Sequence, residues 1–156
     1  MKARRRARAI AIQALYEIDC AGHPPALVIQ QRLEENLVPE PAADFVRRLV
    51  LGVLRWQTLL DPFIQEHAPE WPLEQMAYID RAILRLALYE FAVDGNTPVK
   101  VAINEAVELA KLFGSDSSAR FVNGVLGALA PLKDEIARRV RASKTRQSDT
   151  KGTEKM

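Results

Sequence analysis

The sequence predicts an all-α protein of about seven helices that share one core. Apolar residues recur at i, i+3, i+4 and i+7 along most of the chain, which is the spacing of one helix face. Alternation of apolar and polar residues, the pattern of a half-buried strand, never persists. The chain has 156 residues, 48% of them hydrophobic, and has no apolar run of the roughly 20 residues that a membrane-spanning helix needs.

Glycine and proline divide the first half of the chain. The first helix is predicted from Ala3 or Arg4 to Asp19, because the segment 20–25 (CAGHPP) ends it. A short helix over Ala26–Asn36 and a longer one over Ala42–Leu60 follow, separated by two prolines. Asp61-Pro62 predicts an N-cap with proline at the first helical position, so a separate short helix is expected to begin there.

The second half contains the most apolar segment. Leu73–Val93 is apolar on almost every face, which predicts a central helix that is buried nearly all round. The next helix is predicted over Pro98–Phe113, with a glycine directly after it as the stop signal. Two further helices are predicted over Ser117–Leu129 and Pro131–Val140.

The net charge of +2 conceals a strong asymmetry along the chain. Residues 1–8 carry a net +5, residues 9–137 carry −8, and residues 138–156 carry +5 again. Blocks of like charge usually serve as interaction arms, and a basic arm most often binds a polyanion. Residues 141–156 lack large apolar side chains except the last methionine, which predicts a disordered basic tail after a helical domain of residues 1–140.

The N-terminal arm, residues 1–8, carries the strongest functional signal. Its cations gain free energy when phosphates replace their counterions, and arginine can also stack on the bases of single-stranded RNA. The alternative is a solvated charge run that only keeps the protein soluble. The arm continues into the first helix, whose apolar stripe would anchor it. Its cations are Lys2, Arg4, Arg5, Arg6 and Arg8.

Motifs for catalysis and metal binding are absent from the sequence. It has no glycine-rich phosphate loop, no GxSxG elbow and no HExxH motif. Cys20, His23 and His67 cannot build a usual zinc site. The single cysteine fits a reducing cytosol, and no apolar segment of a secretory signal follows the basic N-terminus. We therefore expect a cytoplasmic protein that is not an enzyme and needs no cofactor.

Three residues inside helical patterns are unusual. Glu90 falls on an apolar stripe, where a carboxylate is costly unless it is hydrogen-bonded. It would either cap the backbone where the helix at Thr97-Pro98 starts or act as a general acid, for which the sequence offers no partner. Gly124 and Gly127 cost helix stability, roughly 1 kcal/mol each relative to alanine. Close helix packing and a groove for a partner are the two explanations.

Four sequence blocks resemble the NusB family of transcription antitermination factors. They follow the family's order over residues 1 to about 130. The resemblance implies two packed small helical bundles. It also implies binding of boxA RNA in ribosomal RNA leader transcripts together with NusE, a small-subunit ribosomal protein, so that RNA polymerase reads through terminators. The blocks are Arg4–Arg8 leading to Gln13–Tyr16, Ala82–Glu90, Pro98–Lys111 and Phe121–Leu126.

The resemblance also assigns roles to individual residues. Tyr16 and Asp80 match positions implicated in partner or RNA contact, and Ser117 lies in the loop associated with NusE binding. The family often has glutamate at the position of Asp80, and some members have aspartate at that of Ser117. The implied RNA contacts are Lys2, Arg4, Arg5, Arg6 and Arg8, with Arg120 and Asn123 as further candidates.

Two other functions stay open at this point. One is a helical protein-interaction scaffold with incidental basic ends. The other is a guide domain like the helical domain that precedes the catalytic part of certain ribosomal RNA cytosine methyltransferases, although the sequence has no glycine-rich cofactor loop. A homodimer is also compatible with helical surfaces of this type.

Overall fold

The computed structural model describes residues 2–68 and 72–154, with side chains described as far as residue 147. Within these ranges every regular element is helical, which confirms the all-α prediction. Two 3₁₀ turns, Leu73–Gln75 and Ala130–Leu132, and one π-helical turn, Tyr89–Asp94, lie between α-helices. The α-helices are α1 (Lys2–Ala21), α2 (Pro25–Glu35), α3 (Glu40–Glu66), α4 (Tyr78–Leu88), α5 (Val99–Phe113), α6 (Ser118–Leu129) and α7 (Lys133–Glu154).

The helices form two packed bundles that share α4 at their junction. α1, α2 and α3 pack against one another, and α4, α5 and α6 form the second bundle. α4 also packs on α1 and α3, and every residue from Ala82 to Glu90 is buried. The prediction of a buried central helix in this region is therefore confirmed. In the described part of the chain, no helix is both long and apolar enough to cross a membrane.

α3 continues through Pro62, so the prediction of a new helix at Asp61-Pro62 is wrong. The proline ring lies on the exposed face, while Leu60, Phe63 and Ile64 are buried on the opposite face. Burial of that apolar face outweighs the hydrogen bond that proline removes from a helix. Asp61 does not act as an N-cap, because its carboxylate accepts two hydrogen bonds of 2.8 Å from Arg85 of α4.

The predicted helix over Leu73–Val93 is divided into three pieces. After the 3₁₀ turn, Met76 and Ala77 adopt extended backbone, and α4 begins at Tyr78. The side chain of Gln65 in α3 accepts a hydrogen bond from the Leu73 N–H at 2.6 Å and so ties the 3₁₀ turn to α3. The other end widens into the π-helical turn, which ends at Gly95 with the positive φ of 75° that favours glycine.

Residues 141–156 are predicted to be disordered, but in the structure the backbone continues α7 as far as Glu154. After Pro131 no proline interrupts this segment, and arginine, alanine and lysine have high helix propensities. Val140 is the last buried residue among the described side chains. Residues 155–156 lie outside the described residues, and the domain boundary at residue 140 stays a prediction.

Three glycines illustrate different local constraints. Gly52 of α3 faces Tyr89, and a Cβ at position 52 would overlap the tyrosine ring, so this glycine permits the close approach of the two elements. Gly124 and Gly127 of α6 are exposed, and a Cβ at either position would have open space around it. Close helix packing therefore does not explain Gly124 and Gly127, and they leave a smooth exposed surface on α6.

Gly52→Ala is expected to destabilise the protein by about 1–3 kcal/mol, because the added methyl group would displace the ring of Tyr89. Gly124→Ala is the matched control and is expected to be neutral or to stabilise by up to about 1 kcal/mol, because the helix gains propensity without a clash. Urea unfolding followed by circular dichroism measures both. Equal stabilities of the two variants would contradict the close contact between Gly52 and Tyr89.

Candidate nucleic-acid interface

The basic N-terminal arm is the first two turns of α1, because this helix begins at Lys2. Lys2, Arg4, Arg5 and Arg6 are exposed. Free backbone N–H groups at a helix N-terminus carry a partial positive charge that favours phosphate groups. Side-chain charge and helix dipole therefore have the same sign at this end of the molecule.

Arg8 is the exception in the arm, because only 6% of it is exposed. Its Nε and Nη2 donate hydrogen bonds of 2.9–3.1 Å to the carboxylate of Glu90, which is 2% exposed. The hydroxyl of Thr97 also donates a hydrogen bond to Glu90, to its Oε1 at 3.0 Å. Arg8 thus has a structural role inside the core, and the predicted RNA contact at this position does not fit its burial.

The same pair explains why Glu90 lies on an apolar stripe. Its carboxylate accepts hydrogen bonds from the side chains of Arg8 and Thr97 rather than capping the backbone of the next helix, as one interpretation of the sequence had it. Sequence reasoning missed the pair. A usable signal was present, since Arg8 and Glu90 each interrupt an apolar helix face, and two opposite charges in such positions often pair.

Arg5 forms a second ion pair, at the surface between α1 and α5. Its Nε and Nη2 donate hydrogen bonds of 3.1 and 2.9 Å to Glu105, while 62% of the arginine side chain stays exposed. The hydrogen bond from Arg5 is the main cause that lowers the pKa of Glu105, and the same bond raises the pKa of Arg5. Glu105 therefore holds Arg5 in place and neutralises part of the arm's charge.

Arg4 stacks on the ring of Phe45 in α3, with its Cζ 4.6 Å from the ring centroid. The guanidinium groups of Arg8 and Arg48 contact the same ring at 5.4 and 5.1 Å. Such cation–π contacts hold an arginine in one orientation without consuming its hydrogen-bond donors. Among the described residues no hydrogen bond uses the donors of Arg4, which can therefore bind an anionic ligand.

Three of the predicted site residues, two of them for partner contact and one for RNA contact, lie at one groove, which we call the α4–α6 groove. Asp80 of α4 lines it together with Ser117 and Arg120, which come from the start of α6. Asp80 Oδ1 is buried and accepts no hydrogen bond from the described residues. The groove's other walls are apolar or uncharged: Gln75, Met76, Ala77 and Phe121.

Tyr16 and Asn123, the remaining predicted site residues, are also exposed. Tyr16 is 42% exposed and packs edge-to-face on Tyr78, with ring centroids 6.3 Å apart. Tyr78 is the first residue of α4, so Tyr16 packs beside the start of that helix. Asn123 lies on the exposed face of α6, beside Gly124.

The model of the NusB family matches residues 5–131 of this chain. The chain belongs to the NusB family. The resemblance noted in the four sequence blocks is thereby confirmed, and curated relatives agree. A transcription antitermination protein NusB of Roseiflexus sp. strain RS-1 is 53% identical over 128 residues, covering 81% of this chain and 90% of the relative. The NusB of Bacillus subtilis strain 168 is 46% identical over 123 residues, covering 79% and 91%.

Solved structures of NusB family members have the same fold. A T. maritima NusB superposes with a TM-score of 0.73 at 31% identity, covering 86% of this chain and 90% of that one. A second structure, of antitermination factors NusB and NusE in complex with dsRNA, has a TM-score of 0.76 at 26% identity and covers 89% and 98%. The two-bundle architecture is therefore a property of the family.

Arg8→Met is expected to destabilise the protein by about 3–5 kcal/mol, because it leaves the carboxylate of Glu90 buried without its cation. The double variant Arg8→Met with Glu90→Leu removes both charges and is expected to recover most of that loss. Urea unfolding of the two variants and of wild type measures the coupling. Additive losses in the double variant would contradict a direct buried ion pair.

Proposed function

We propose that this protein is a non-catalytic, cytoplasmic RNA-binding factor in transcription antitermination. It binds boxA-type single-stranded RNA of ribosomal RNA leader transcripts together with NusE, within the antitermination complex of RNA polymerase. Its place in the NusB family supports this function, as does the NusB relative whose structure contains NusE and dsRNA. The observation that carries the proposal is a rigid helix N-terminus with four exposed cations.

In this proposal the arm contacts RNA phosphates through Lys2, Arg4, Arg5 and Arg6, and Arg8 holds the arm in place. Because Arg8 is tied to Glu90 and Arg4 is stacked on Phe45, the arm pays little conformational entropy on binding. Phosphate contacts set the position of an RNA but carry little sequence information. Arg120 and Asn123 of α6 are the further candidates for contact with RNA.

The partner surface in this proposal is the α4–α6 groove, with Tyr16 at the start of α4 as a further contact. The groove offers apolar walls, the buried acceptor Asp80 Oδ1 and the exposed cation Arg120. Apolar area with a few polar groups at the rim is typical of a protein interface. NusE bound there would add its own RNA contacts, so the pair would bind RNA more tightly than either protein alone.

The variant Arg4→Gln with Arg6→Gln is expected to weaken RNA binding at least tenfold at low salt, because two phosphate contacts are lost. The slope of log affinity against log salt should become shallower by about 0.7 for each lost contact with a single strand. Fluorescence anisotropy with a labelled boxA RNA, with and without NusE, measures both. Unchanged affinity in this variant would refute the proposed role of the arm, and a salt-independent affinity would favour the protein scaffold instead.

Glu105→Gln is expected to raise RNA affinity roughly two- to fivefold, because it removes a carboxylate that neutralises part of the charge of Arg5. The hydrogen bond from Arg5 lowers the pKa of Glu105 below its ordinary value, so the wild-type carboxylate is ionised at both pH 5.5 and pH 7.5 and the gain should be the same at both. Glu108→Gln, one turn along α5 and paired with Lys111, is the control for loss of a negative charge. An equal gain in both variants would show that only net charge matters.

A further inference from the structure

A second basic groove lies on the side of α3 that faces the π-helical turn and α7. We call it the α3–α7 groove. Two of its cations come from α3 and the third from α7, and two aromatic side chains lie between them. Its charged and aromatic residues are Arg48, Arg55, Trp56, Tyr89, Asp94 and Lys144.

The charge of the α3–α7 groove is positive at its surface. Arg55 and Lys144 are exposed, and their cations lie 5.0 and 5.7 Å from the ring of Trp56. Asp94 is the only carboxylate among the lining residues, and its side chain is 12% exposed. Its Oδ2 lies 3.8 Å from Arg48 Nη2, so the two form an ion pair that offsets part of the charge of Arg48, but the distance is too long for a hydrogen bond.

The aromatic residues of the groove give the cations fixed positions. Trp56 is buried at the edge of the core and presents its ring to both Arg55 and Lys144. Burial raises the pKa of Tyr89, so its hydroxyl stays protonated and remains a hydrogen-bond donor at neutral pH. The groove therefore combines positioned cations with a neutral donor, a combination that suits phosphate oxygens.

The ring of Phe45 connects this groove to the N-terminal arm. Arg4 of the arm and Arg48 of the groove both stack on that ring, at 4.6 and 5.1 Å. The cations thus follow one another from the arm through Arg48 to Arg55 and Lys144. Arg48 and Arg55 are seven residues apart in α3, which is about two helical turns or ~10 Å along one face. Cations spaced in this way fit a chain of phosphates better than a single small anion.

We propose that RNA bound at the arm continues across Phe45 into the α3–α7 groove, where Arg48, Arg55 and Lys144 contact phosphates of the flanking nucleotides. The inference rests on the proposed RNA-binding function. It gives a role to part of the basic C-terminal segment, since Lys144 lies beyond the residues 5–131 that match the family model. Contacts of this kind lengthen the bound RNA without reading its bases.

The experiment compares two RNAs that share the boxA sequence, one of about 6 nucleotides and one of about 16. Arg55→Gln with Lys144→Gln is expected to weaken binding of the longer RNA roughly tenfold and to make its salt slope shallower by about 1.4, while binding of the shorter RNA stays unchanged. The charge-matched control is Arg47→Gln with Lys111→Gln, two exposed or half-exposed cations outside the groove. This control is expected to leave the length dependence intact.

A second variant, Arg55→Lys with Lys144→Arg, preserves both charges and is expected to keep wild-type affinity for the longer RNA. Because both positions are exposed, we expect each variant to fold, and urea unfolding checks this. The groove inference is overturned, and the proposed function stands, if two results occur together. Arg55→Gln with Lys144→Gln binds the longer RNA as tightly as the control does, and Arg4→Gln with Arg6→Gln loses binding. If the arm variant retains full RNA binding, the proposed function fails separately.

Titrations with a protein distinguish RNA from a protein partner as the occupant of the groove. NusE binding to each variant is measured without RNA. A glutamine variant that loses NusE affinity but keeps its affinity for the longer RNA would identify the α3–α7 groove as a protein surface, and that outcome overturns the inference. Loss of affinity for the longer RNA alone, with unchanged NusE binding, supports it.

Discussion

The buried ion pair between Arg8 and Glu90 is the interaction on which the rest of the interface depends. It joins α1 to the π-helical turn that follows α4, and so links the arm to the junction of the two bundles. A buried charge pair is stable only when its geometry is good and its remaining polar groups are satisfied. The bidentate contact and the hydrogen bond from Thr97 meet that condition. Because the pair holds the end of the arm, four cations are presented from a rigid helix.

The acidic middle of the chain has a different meaning in three dimensions. Part of its −8 charge is used between helices, because Asp19 of α1 and Asp61 of α3 accept hydrogen bonds from Arg81 and Arg85 of α4 at 2.7 and 2.8 Å. These carboxylates join α1 and α3 to the central helix and do not form a free acidic surface. Among the described side chains, every cation of the basic ends except Arg8 is exposed, so the surface is more polarised than the net charge suggests.

Helix positions were predictable where burial and local stop signals agree. The glycine and proline segment at 20–25 ends α1 close to the predicted residue, and the apolar run Ala82–Glu90 is indeed central. Prediction failed where a distant side chain changed the local preference. Arg85 donates hydrogen bonds to the carboxylate of Asp61, which is therefore not available to cap a new helix at Pro62. Gln65 accepts a hydrogen bond from the 3₁₀ turn that precedes α4. Such contacts join residues that no local pattern relates.

The sequence by itself determined the helical class, the family and the basic arm, because periodicity, motif and charge are written along one chain. The tertiary structure decided which cations serve function, because only packing shows that Arg8 is inside the core while Arg4 is stacked at the surface. It also brought Asp80 to Ser117, and Lys144 to Trp56. Burial and distance are properties of the folded chain, and they assign different roles to side chains of the same residue type.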